Sequence, residues 1–410
     1  MRSPAPLNLI HTSDWHLGHE LFNHSREAEH DTFLAWLLDQ LDEQEVDVLL
    51  VTGDIYDVAN PPVAAMRRLF DFLRTATDRR PGLQVVILGG NHDSAARIDL
   101  PAALLGEGRV HFIGALPRRD GVPDYERLML PLRDRTGTLA AWLAAVPFCR
   151  PGDLGTHDLP SLYAEVFKKA AAQAGELPLI VTGHLHVAGG EVSELSERRI
   201  VIGGEEAQAA SLFDARAAYV ALGHLHHPQT VPGATMIRYA GSPFPLSATE
   251  RTYRHSLSLV TVSAGKAAAV HEIPIPRPVP FLTVPEHGAA PLDEVIAAIE
   301  ALTLDDTVPH SLQPFLDVSV LVTGPEPHLQ TSVLEAIGDK PLRLNRIAKV
   351  QAQAPQPHTP VASAADLIDL QPATVFETLF RDRYAEGPPD DLARAFEALL
   401  IEVHTGGETA

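Results

Sequence analysis

The sequence predicts an α/β fold in which two β-sheets pack as a sandwich flanked by helices, followed by a small α+β unit and a helical tail. Two observations lead to this prediction. Over residues 1–272, short apolar runs typical of buried strands alternate with stretches whose apolar residues have helical spacing. Five of the apolar runs lead directly to Asp, Asn or His, at the strand tips where open α/β sheets bind their ligands.

The clearest of these runs is Val46–Asp57, with the sequence VDVLLVTGDIYD. Its β-branched apolar residues suit a strand that is covered on both faces, as in a parallel sheet. The run stops at Thr52 and Gly53, and the carboxylate of Asp54 follows at once. We therefore expect Asp54 at the edge of the sheet where a ligand binds.

Four other segments repeat this pattern of an apolar run followed by polar residues. In three of them Gly stands between the run and the polar residues, and Gly tolerates the backbone angles of a sharp turn at a strand tip. One such segment could arise by chance, whereas five that deliver Asp, Asn or His predict a metal site. The four segments are Leu7–His16, Leu83–Asp93, Leu177–His186 and Tyr219–His226.

The stretches between these runs complete the prediction for residues 1–272. Helical spacing over His24–Gln44 links the first two strands, and the prolines at 61–62 open another helix because Pro is tolerated in a first helical turn. From Met236 to Val262 the pattern contains strands only, which is typical of a second sheet. The remaining predicted elements are a strand at Arg109–Ile113, a strand at Leu139–Phe148 and a helix at Leu159–Gly175.

Proline-rich stretches divide the rest of the chain. Four prolines in Ile273–Pro280 and three in Gln351–Pro360 indicate stiff linkers. The predicted elements between them are a strand at Phe281–Val284, a helix at Leu292–Leu302, a strand at Phe315–Val322, a helix at Leu329–Ile337 and a strand at Leu342–Val350. The resulting division is a large domain at 1–272, an α+β unit at 273–350, a linker at 351–372 and two amphipathic helices at 373–410.

The composition is that of a globular protein with more than one domain. The chain has 410 residues, of which 45% are hydrophobic and 21% charged, and no run approaches the ~20 apolar residues that span a bilayer. We expect no secretory signal, and the single cysteine, Cys149, fits a reducing cytoplasm. The net charge of −21 argues against a protein that binds nucleic acid simply by being basic. Bound cations or clustered basic residues can still reverse the field in one cleft.

The polar residues at the five strand tips predict a centre of two divalent metal ions. They comprise two carboxylates, one amide and four imidazoles, which are too many ligands for one tetrahedral zinc ion. Two such ions and two carboxylates leave a charge of roughly +2, which attracts a phosphate group. Because two ions ~3.5–4 Å apart stabilise both the attacking and the leaving oxygen, phosphoester hydrolysis is the expected reaction. The candidate ligands are Asp14, His16, Asp54, Asn91, His184, His224 and His226.

These motifs resemble, in their order, the five motifs of calcineurin-like metallophosphoesterases. They are DxH from Asp14, GD from Gly53, GNHD from Gly90, GH from Gly183 and GHxH from Gly223, and the resemblance covers residues 7–245. It implies a two-sheet metallophosphoesterase sandwich.

The resemblance also implies a role for each residue of the centre. His92 would stabilise the transition state and protonate the leaving oxygen. The first metal ion would take Asp14, His16, Asp54 and His226, and the second would take Asp54, Asn91, His184 and His224.

More narrowly, the sequence resembles the SbcD family of bacterial nuclease subunits. The stretches SDWHLG, GDIYDVANPP, TGHLHVAG and RYAGSPFPLS carry this resemblance, and the small unit and the tail fit it as well. It implies a nuclease with two divalent ions, Mn²⁺ by preference, that cuts double-strand ends and hairpins of DNA in repair and recombination. It further implies a homodimer bound to the coiled-coil ATPase SbcC, working on the nucleoid in the cytoplasm.

The same resemblance gives expectations for the other parts of the chain. Residues 273–350 would form a capping domain that contacts DNA, and residues 373–410 would bind the ATPase. Archaeal and eukaryotic relatives usually have His three residues after the bridging Asp, where this chain has Asp57. We therefore expect Asp57 beside the metal ligands or on the substrate side.

Several residues keep two interpretations at this point. A role for His186 beside the ligands or towards the substrate is favoured over ligation, and Trp15 suits either packing or DNA contact. The tail helices suit a partner surface or the core, with the partner favoured because a Pro-rich linker precedes them. Basic residues at three-residue spacing suit DNA contact or a solvated face; they are Lys340, Arg343, Arg346 and Lys349.

Two rival functions also follow from the sequence. A small-molecule or phosphoprotein phosphatase on the same fold would typically have DRG and GNHE motifs, whereas this chain has DVAN after GDIY, and Asp93 after His92. A scaffold that only regulates an ATPase partner would not need all seven candidate ligands.

Overall fold

A computed structural model describes residues 5–105, 108–155, 158–193, 207–324 and 326–351, together with residues 376, 380–381, 387–389, 392 and 395–396. The chain forms two compact units, Met1–Gln351 and Ala352–Ala410. No helix in the described ranges combines the length and the apolar character needed to cross a bilayer.

The regular elements of the described residues alternate along most of the chain. The strands are β1 (Leu7–Thr12), β2 (Glu20–Leu21), β3 (His24–Ser25), β4 (Val48–Thr52), β5 (Gln84–Leu88), β6 (Val110–Ile113), β7 (Arg118–Arg119), β8 (Val122–Pro123), β9 (Met129–Arg133), β10 (Leu139–Ala144), β11 (Leu179–His184), β12 (Ala217–Gly223), β13 (Gln229–Val231), β14 (Ile237–Tyr239), β15 (Ser256–Val262), β16 (Ala269–Pro274), β17 (Phe281–Val284), β18 (Phe315–Val322) and β19 (Arg343–Gln351). The helices are α1 (Glu27–Glu43), α2 (Val63–Arg79), α3 (Ala95–Asp99), α4 (Ala102–Leu105), α5 (Pro151–Leu154), α6 (Leu159–Ala174), α7 (Leu292–Glu300) and α8 (Leu329–Ile337).

Two six-stranded sheets make up the larger part of the first unit. In the first sheet the strand order is β16-β15-β1-β4-β5-β6, and β1, β4, β5 and β6 are parallel. In the second sheet the order is β13-β14-β12-β11-β10-β9, and β14, β12, β11 and β10 are parallel. The first sheet has antiparallel strands at one edge and the second sheet has one at each edge. In both sheets the polar segments follow the carboxyl ends of parallel strands.

The apolar residues of β4 show how the layers are built. Val48 and Leu50 belong to a core cluster shared with the second sheet, while Leu49 and Val51 belong to a cluster shared with α1 and α2. Side chains alternate between the two faces of a strand, so the β4 strand is buried on both. Helix α6 packs against β10 and β11 of the second sheet. The predicted two-sheet α/β sandwich flanked by helices is confirmed.

The strand-only stretch that was predicted to form a second sheet is divided between the two sheets. Ile237–Tyr239 lies in the second sheet beside β12, as expected. Ser256–Val262 instead pairs antiparallel with β1 in the first sheet. The apolar pattern of a strand indicates that the strand is buried, but not which sheet it joins. Because a strand is buried in either sheet here, the pattern could not distinguish the two sheets.

A third sheet, β17-β18-β19, is parallel and carries α7 and α8, which share one apolar cluster with it. All five elements predicted for residues 273–350 are present, with bounds within two residues of the expected ones. The domain boundary at 272 remains a prediction, and it falls inside β16. The predicted linker at 351–372 and tail at 373–410 lie almost wholly outside the described residues. Of the tail, Phe376 and Phe396 are helical and stack at 4.2 Å between ring centroids.

Candidate metal centre

The polar segments after the five predicted strands meet at one end of the sandwich. The backbone N–H of Asp14 donates to the carbonyl of Gly53, and that of His16 donates to the carbonyl of Asp54, each at 3.0 Å. The Nδ1 atom of His184, from the second sheet, donates to the carbonyl of Thr52 in the first sheet at 2.8 Å. These bonds join the strand tips of both sheets into one site.

Several residues of this site have backbone angles that side chains other than Gly rarely adopt. The φ angles are 53° for Asp14, 45° for His16, 48° for Asp54 and 98° for His224. A non-Gly residue in this region costs of order 1–3 kcal/mol, and such residues concentrate at functional sites. The hydrogen bonds between the strand tips hold them in place.

Two different structural requirements explain the glycines of the motifs: a positive φ angle and the close approach of neighbouring atoms. Gly53 has a φ of 99°, so the predicted need for an unusual backbone angle is present there. A Cβ atom at Gly53 would also overlap the His184 ring, and one at Gly90 would overlap the Asp54 carboxylate. At Gly90 and Gly223 the requirement is therefore close approach of the strand tips rather than the sign of φ.

The carboxylate of Asp54 lies between imidazoles of the two sheets. Its Oδ2 atom is 3.8 Å from His16 Nε2 and 3.4 Å from His184 Nε2. Its Oδ1 atom accepts the backbone N–H of His92 at 2.8 Å, which fixes the orientation of the group. One oxygen facing two ligand sets is the arrangement that a bridging carboxylate requires.

One ligand set consists of Asp14, His16 and His226, whose donor atoms lie within 4.8 Å of one another. The Nδ1 atom of His16 donates to Asp57 at 3.2 Å, while its buried Nε2 has no hydrogen-bond partner in the described structure. The Nδ1 atom of His226 donates to Glu250 at 2.8 Å, so Nε2 is the atom that this ring can offer a metal ion. An unsatisfied buried nitrogen beside two carboxylates fits a cation.

The other ligand set is built around the amide of Asn91. Its Oδ1 atom lies 2.8 Å from His184 Nε2 and 3.0 Å from His224 Nδ1. Asp14, Asp54 and His184 also form a cluster within 4.8 Å, which links this set to the first. All seven predicted ligands therefore lie in one continuous cluster; which metal ion each binds stays a prediction.

The charges of the cluster are strongly coupled to one another. Burial alone would raise the pKa of Asp54, but the neighbouring His184 and His16 hold it below its ordinary value. Burial opposes the charged form of His184, yet the Asp54 carboxylate prevails and raises the pKa of His184 to about 9. A divalent ion would take the place of that proton, because metal ligands bind in their deprotonated form.

His92 and Asp57 lie beside the cluster. His92 Nδ1 donates to the main-chain carbonyl of Asp57 at 2.8 Å, so the ring nitrogen left for chemistry is Nε2. The rings of His92 and His16 meet edge to face, with centroids 4.8 Å apart. Asp57 thus orients both a predicted ligand and the predicted catalytic histidine, in line with the expectation that it lies beside the metal ligands.

His186 and Trp15 had two interpretations each, and the structure bears on both residues. His186 is half-buried, and neither it nor His224 belongs to the clusters of His, Asp and Glu that could hold a metal ion among the described residues; His224, however, contacts the Asn91 amide. Trp15 is fully buried and packs edge to face on Phe33 and Phe72, so of its two interpretations packing is the one the structure shows.

The four basic residues do not form one exposed stripe. Lys340 donates to the carbonyls of Glu300 and Leu302, Arg346 pairs with Asp317 at 2.6 Å, and Lys349 is exposed. Arg343 is only 3% exposed, and its guanidinium lies over the Phe315 ring at 3.9 Å. DNA contact by these residues stays a prediction.

Two residues that sequence reasoning missed hold the site together. Asp93 accepts the backbone N–H groups of Ile55, Tyr56 and Gly90 at 2.9–3.0 Å, and thereby joins the loops that carry Asp54 and Asn91. Glu250 is fully buried and accepts both His226 Nδ1 and the backbone N–H of Leu246. Asp93 stands inside the GNHD motif, whereas no local pattern marks Glu250.

Known proteins match the chain over most of its length. The calcineurin-like phosphoesterase family matches residues 7–228, and a family described as the type 5 capsule protein repressor C-terminal domain matches residues 277–384. The SbcD component of nuclease SbcCD from Rhodobacter capsulatus is 41% identical over 388 residues, which are 91% of this chain and 94% of the relative. The chain belongs to the SbcD family of calcineurin-like phosphoesterases.

Other members of the family are also similar to this chain. The SbcD protein of Escherichia coli K12 is 36% identical over 66% of this chain and 68% of the relative. That of Bacillus subtilis 168 is 32% identical over 65% of this chain and 69% of the relative. The predicted membership in this family and in the metallophosphoesterases is confirmed, and with it the prediction of a metal-dependent phosphoesterase.

The duplicated GHLH sequence yields a first prediction. His184→Ala should reduce Mn²⁺ binding from two ions to one, because His184 lies against Asp54 and Asn91, while His186→Ala should leave both ions bound. In the later copy, His224→Ala and His226→Ala should each lose one ion, since their rings belong to different ligand sets. Calorimetric titration of Mn²⁺ into the four variants measures this, and circular dichroism checks their folding. Equal weakening by His184→Ala and His186→Ala would make His186 a ligand.

Glu250 yields a second prediction. Glu250→Gln places an amide nitrogen against one of two hydrogen-bond donors, so His226 loses its fixed orientation. Such a change to a partner of a metal-ligating histidine typically weakens metal affinity 10–100-fold. We expect that loss for one of the two ions in a Mn²⁺ titration. Glu165→Gln, which changes an exposed glutamate paired with Lys168, is the matched control and should bind both ions as the unaltered protein does. Unchanged Mn²⁺ affinity in Glu250→Gln would contradict the role of Glu250.

Proposed function

We propose that the protein is a two-metal DNA phosphodiesterase that cleaves double-strand ends and hairpins with Mn²⁺, acting with an SbcC-type ATPase in DNA repair and recombination. The observation that carries the proposal is the Asp54 carboxylate held between His16 and His184 from different sheets. The names of the relatives, which are components of a nuclease, support DNA as the substrate.

The ligand sets support two ions. The first set offers Asp14, His16 and His226, the second offers Asn91, His184 and His224, and Asp54 reaches both. Mixed nitrogen and oxygen donors without thiolates suit Mn²⁺. Two such ions would polarise the phosphate group and lower the pKa of water towards neutrality. Around them, this chain holds the ligands rigid through Asp57, Asp93 and Glu250.

His92 is placed to act on the phosphate at the edge of the cluster. Burial lowers its pKa, so the imidazole is neutral in the free protein, with the proton on Nδ1 directed to Asp57. A phosphate group that arrives beside Nε2 brings negative charge, which favours the protonated ring. His92 can then stabilise the charge of the transition state and give its proton to the leaving oxygen.

Features around the cluster favour a phosphodiesterase over the two rival functions. Asp93 occupies the position where the phosphatase motif GNHE has Glu, and its shorter side chain binds three backbone N–H groups of the loops. The seven candidate ligands are all present and meet in one place, which a scaffold without catalytic activity would not require.

The partner and the assembly belong to the same proposal. We infer that the tail helices at 373–410 bind the coiled-coil ATPase, that the 273–350 unit caps the DNA, and that the protein works on the nucleoid in the cytoplasm as a homodimer within a heterotetramer. The family membership supports an ATPase partner, and the division of the chain into two units supports a separate role for residues 352–410.

A third prediction separates binding of metal from chemistry. Asp54→Ala should abolish DNA hydrolysis and empty at least one metal position, because Asp54 reaches both ligand sets. His92→Ala should leave both ions bound and reduce hydrolysis about 10²–10⁴-fold, the usual contribution of acid–base catalysis. Metal content by plasma emission spectrometry and cleavage of an end-labelled duplex in Mn²⁺ decide the outcome. An active Asp54→Ala protein with both ions bound would contradict the two-metal assignment.

A fourth prediction concerns the tail. Deleting residues 361–410 should leave a folded protein that binds metal and cleaves DNA, because the ligand sets lie in the first unit. The deletion should abolish co-purification with SbcC and any stimulation of cleavage by ATP. Leu392→Asp with Phe396→Asp in the full chain is the matched variant and should have the same effect. Precipitation of the truncated protein would instead assign the tail helices to the core.

A further inference from the structure

Arg150 stands beside the metal centre on a rigid support. It precedes α5, and its backbone N–H donates to the Asp153 carboxylate at 2.8 Å. The backbone N–H of Asp153 donates back to the Arg150 carbonyl at 2.8 Å. The main chain of Arg150 is therefore fixed by two reciprocal hydrogen bonds, while its side chain is exposed.

The guanidinium of Arg150 lies against two residues of the site. Its Cζ atom lies over the Phe148 ring, 5.3 Å from the ring centroid, and its Nη2 atom is 3.5 Å from the main-chain carbonyl oxygen of Asn91. The Phe148 ring in turn meets His184 edge to face, with centroids 6.0 Å apart. Arg150 is thus positioned by Asn91, a predicted ligand, and by Phe148, which contacts a second predicted ligand, His184.

The guanidinium of Arg150 has no carboxylate partner among the residues that the structure describes. Some exposed arginines are ion-paired, such as Arg79 with Asp39 and Arg216 with Asp214. In the part of the chain that the structure describes, no carboxylate forms an ion pair with Arg150, in a protein whose net charge is −21. An exposed cation held beside a metal cluster, with its neighbours supplying only a ring and a carbonyl, can bind an anion from outside.

We propose that Arg150 binds the phosphate next to the scissile one in the DNA strand that is cut. This inference rests on the proposed function. A guanidinium is planar, so its N–H groups can donate side by side to two oxygens of one phosphate. The side-chain amide of Asn91 meets His184 and His224, whereas Arg150 contacts the main-chain carbonyl of Asn91. The guanidinium is therefore close to the predicted ligands without occupying their metal-binding atoms, which suits a phosphate that lies next to the one at the metal ions.

The experiment compares two substrates in the full-length protein with Mn²⁺. Arg150→Ala should lower kcat/KM for an end-labelled duplex about 10–100-fold, mainly through KM, because a charge-assisted hydrogen bond is lost. Hydrolysis of bis(4-nitrophenyl) phosphate, which has no neighbouring phosphate, should stay within twofold. Arg150→Lys should give an intermediate loss on DNA. The salt dependence of kcat/KM for DNA should flatten by about 0.7–0.9 in the log–log slope, as for one lost phosphate contact.

Each other outcome has a definite meaning. Arg216→Ala is the matched control, since it removes an exposed arginine at the start of β12, the opposite end of that strand from His224; both substrates should react as before. Equal losses on both substrates in Arg150→Ala, or an unchanged kcat/KM for DNA, would overturn the proposal. Loss of bound Mn²⁺ would do the same, because it would make Arg150 a support for Asn91. An unaltered protein that hydrolyses the small diester but no DNA would contradict the proposed function instead.

Discussion

The position of one carboxylate oxygen, Asp54 Oδ2, determines the rest of the site. It must lie within reach of His16 and His184, which come from different sheets, so the two sheets have to meet at their carboxyl ends with little space between them. Gly53 and Gly223 allow that approach, because a Cβ atom at Gly53 would overlap His184 and one at Gly223 would overlap the Thr52 carbonyl. The parallel centres of both sheets, with their loops at one end, follow from the same requirement.

Holding these groups together without a cation is costly, and the surrounding hydrogen bonds reduce that cost. Burial raises the pKa of Asp14, which shows that its negative charge is poorly solvated. Asp54 is stabilised by the charge of His184 and by the backbone N–H of His92. Asp93 and Glu250 accept hydrogen bonds from the loops that carry the predicted ligands. These bonds hold the ligands in place although the buried carboxylates repel one another. This arrangement destabilises the protein without a bound cation, and it suits a site that binds metal ions.

Sequence reasoning succeeded where the signal was local. Each strand tip carries its own motif, so Asp14, Asp54, Asn91, His184 and His224 could be found without knowing how the strands are ordered. It failed for Glu250, which meets His226 through tertiary contacts that no motif marks, and for Ser256–Val262, whose burial pattern fits either sheet. The three-residue spacing of Arg343, Arg346 and Lys349 did not predict how these side chains are arranged, for a different reason. A register irregularity after Leu344 places Arg343 opposite Phe315 and Arg346 opposite Asp317, so these two side chains lie on one face of β19, while Lys349, opposite Val320, lies on the other.

The acidic character of the chain makes its binding of metal and of phosphate interdependent. The cluster contains two buried carboxylates, and the protein as a whole is strongly negative, so a phosphodiester meets an unfavourable field when no cation is bound. Bound divalent ions would reverse that field locally, and a phosphate would in turn offer its oxygens to the same ions. Each ligand therefore raises the affinity for the other by the same factor, as linkage requires. In a protein of this charge, recognition of the phosphodiester and assembly of the metal centre are parts of a single binding equilibrium.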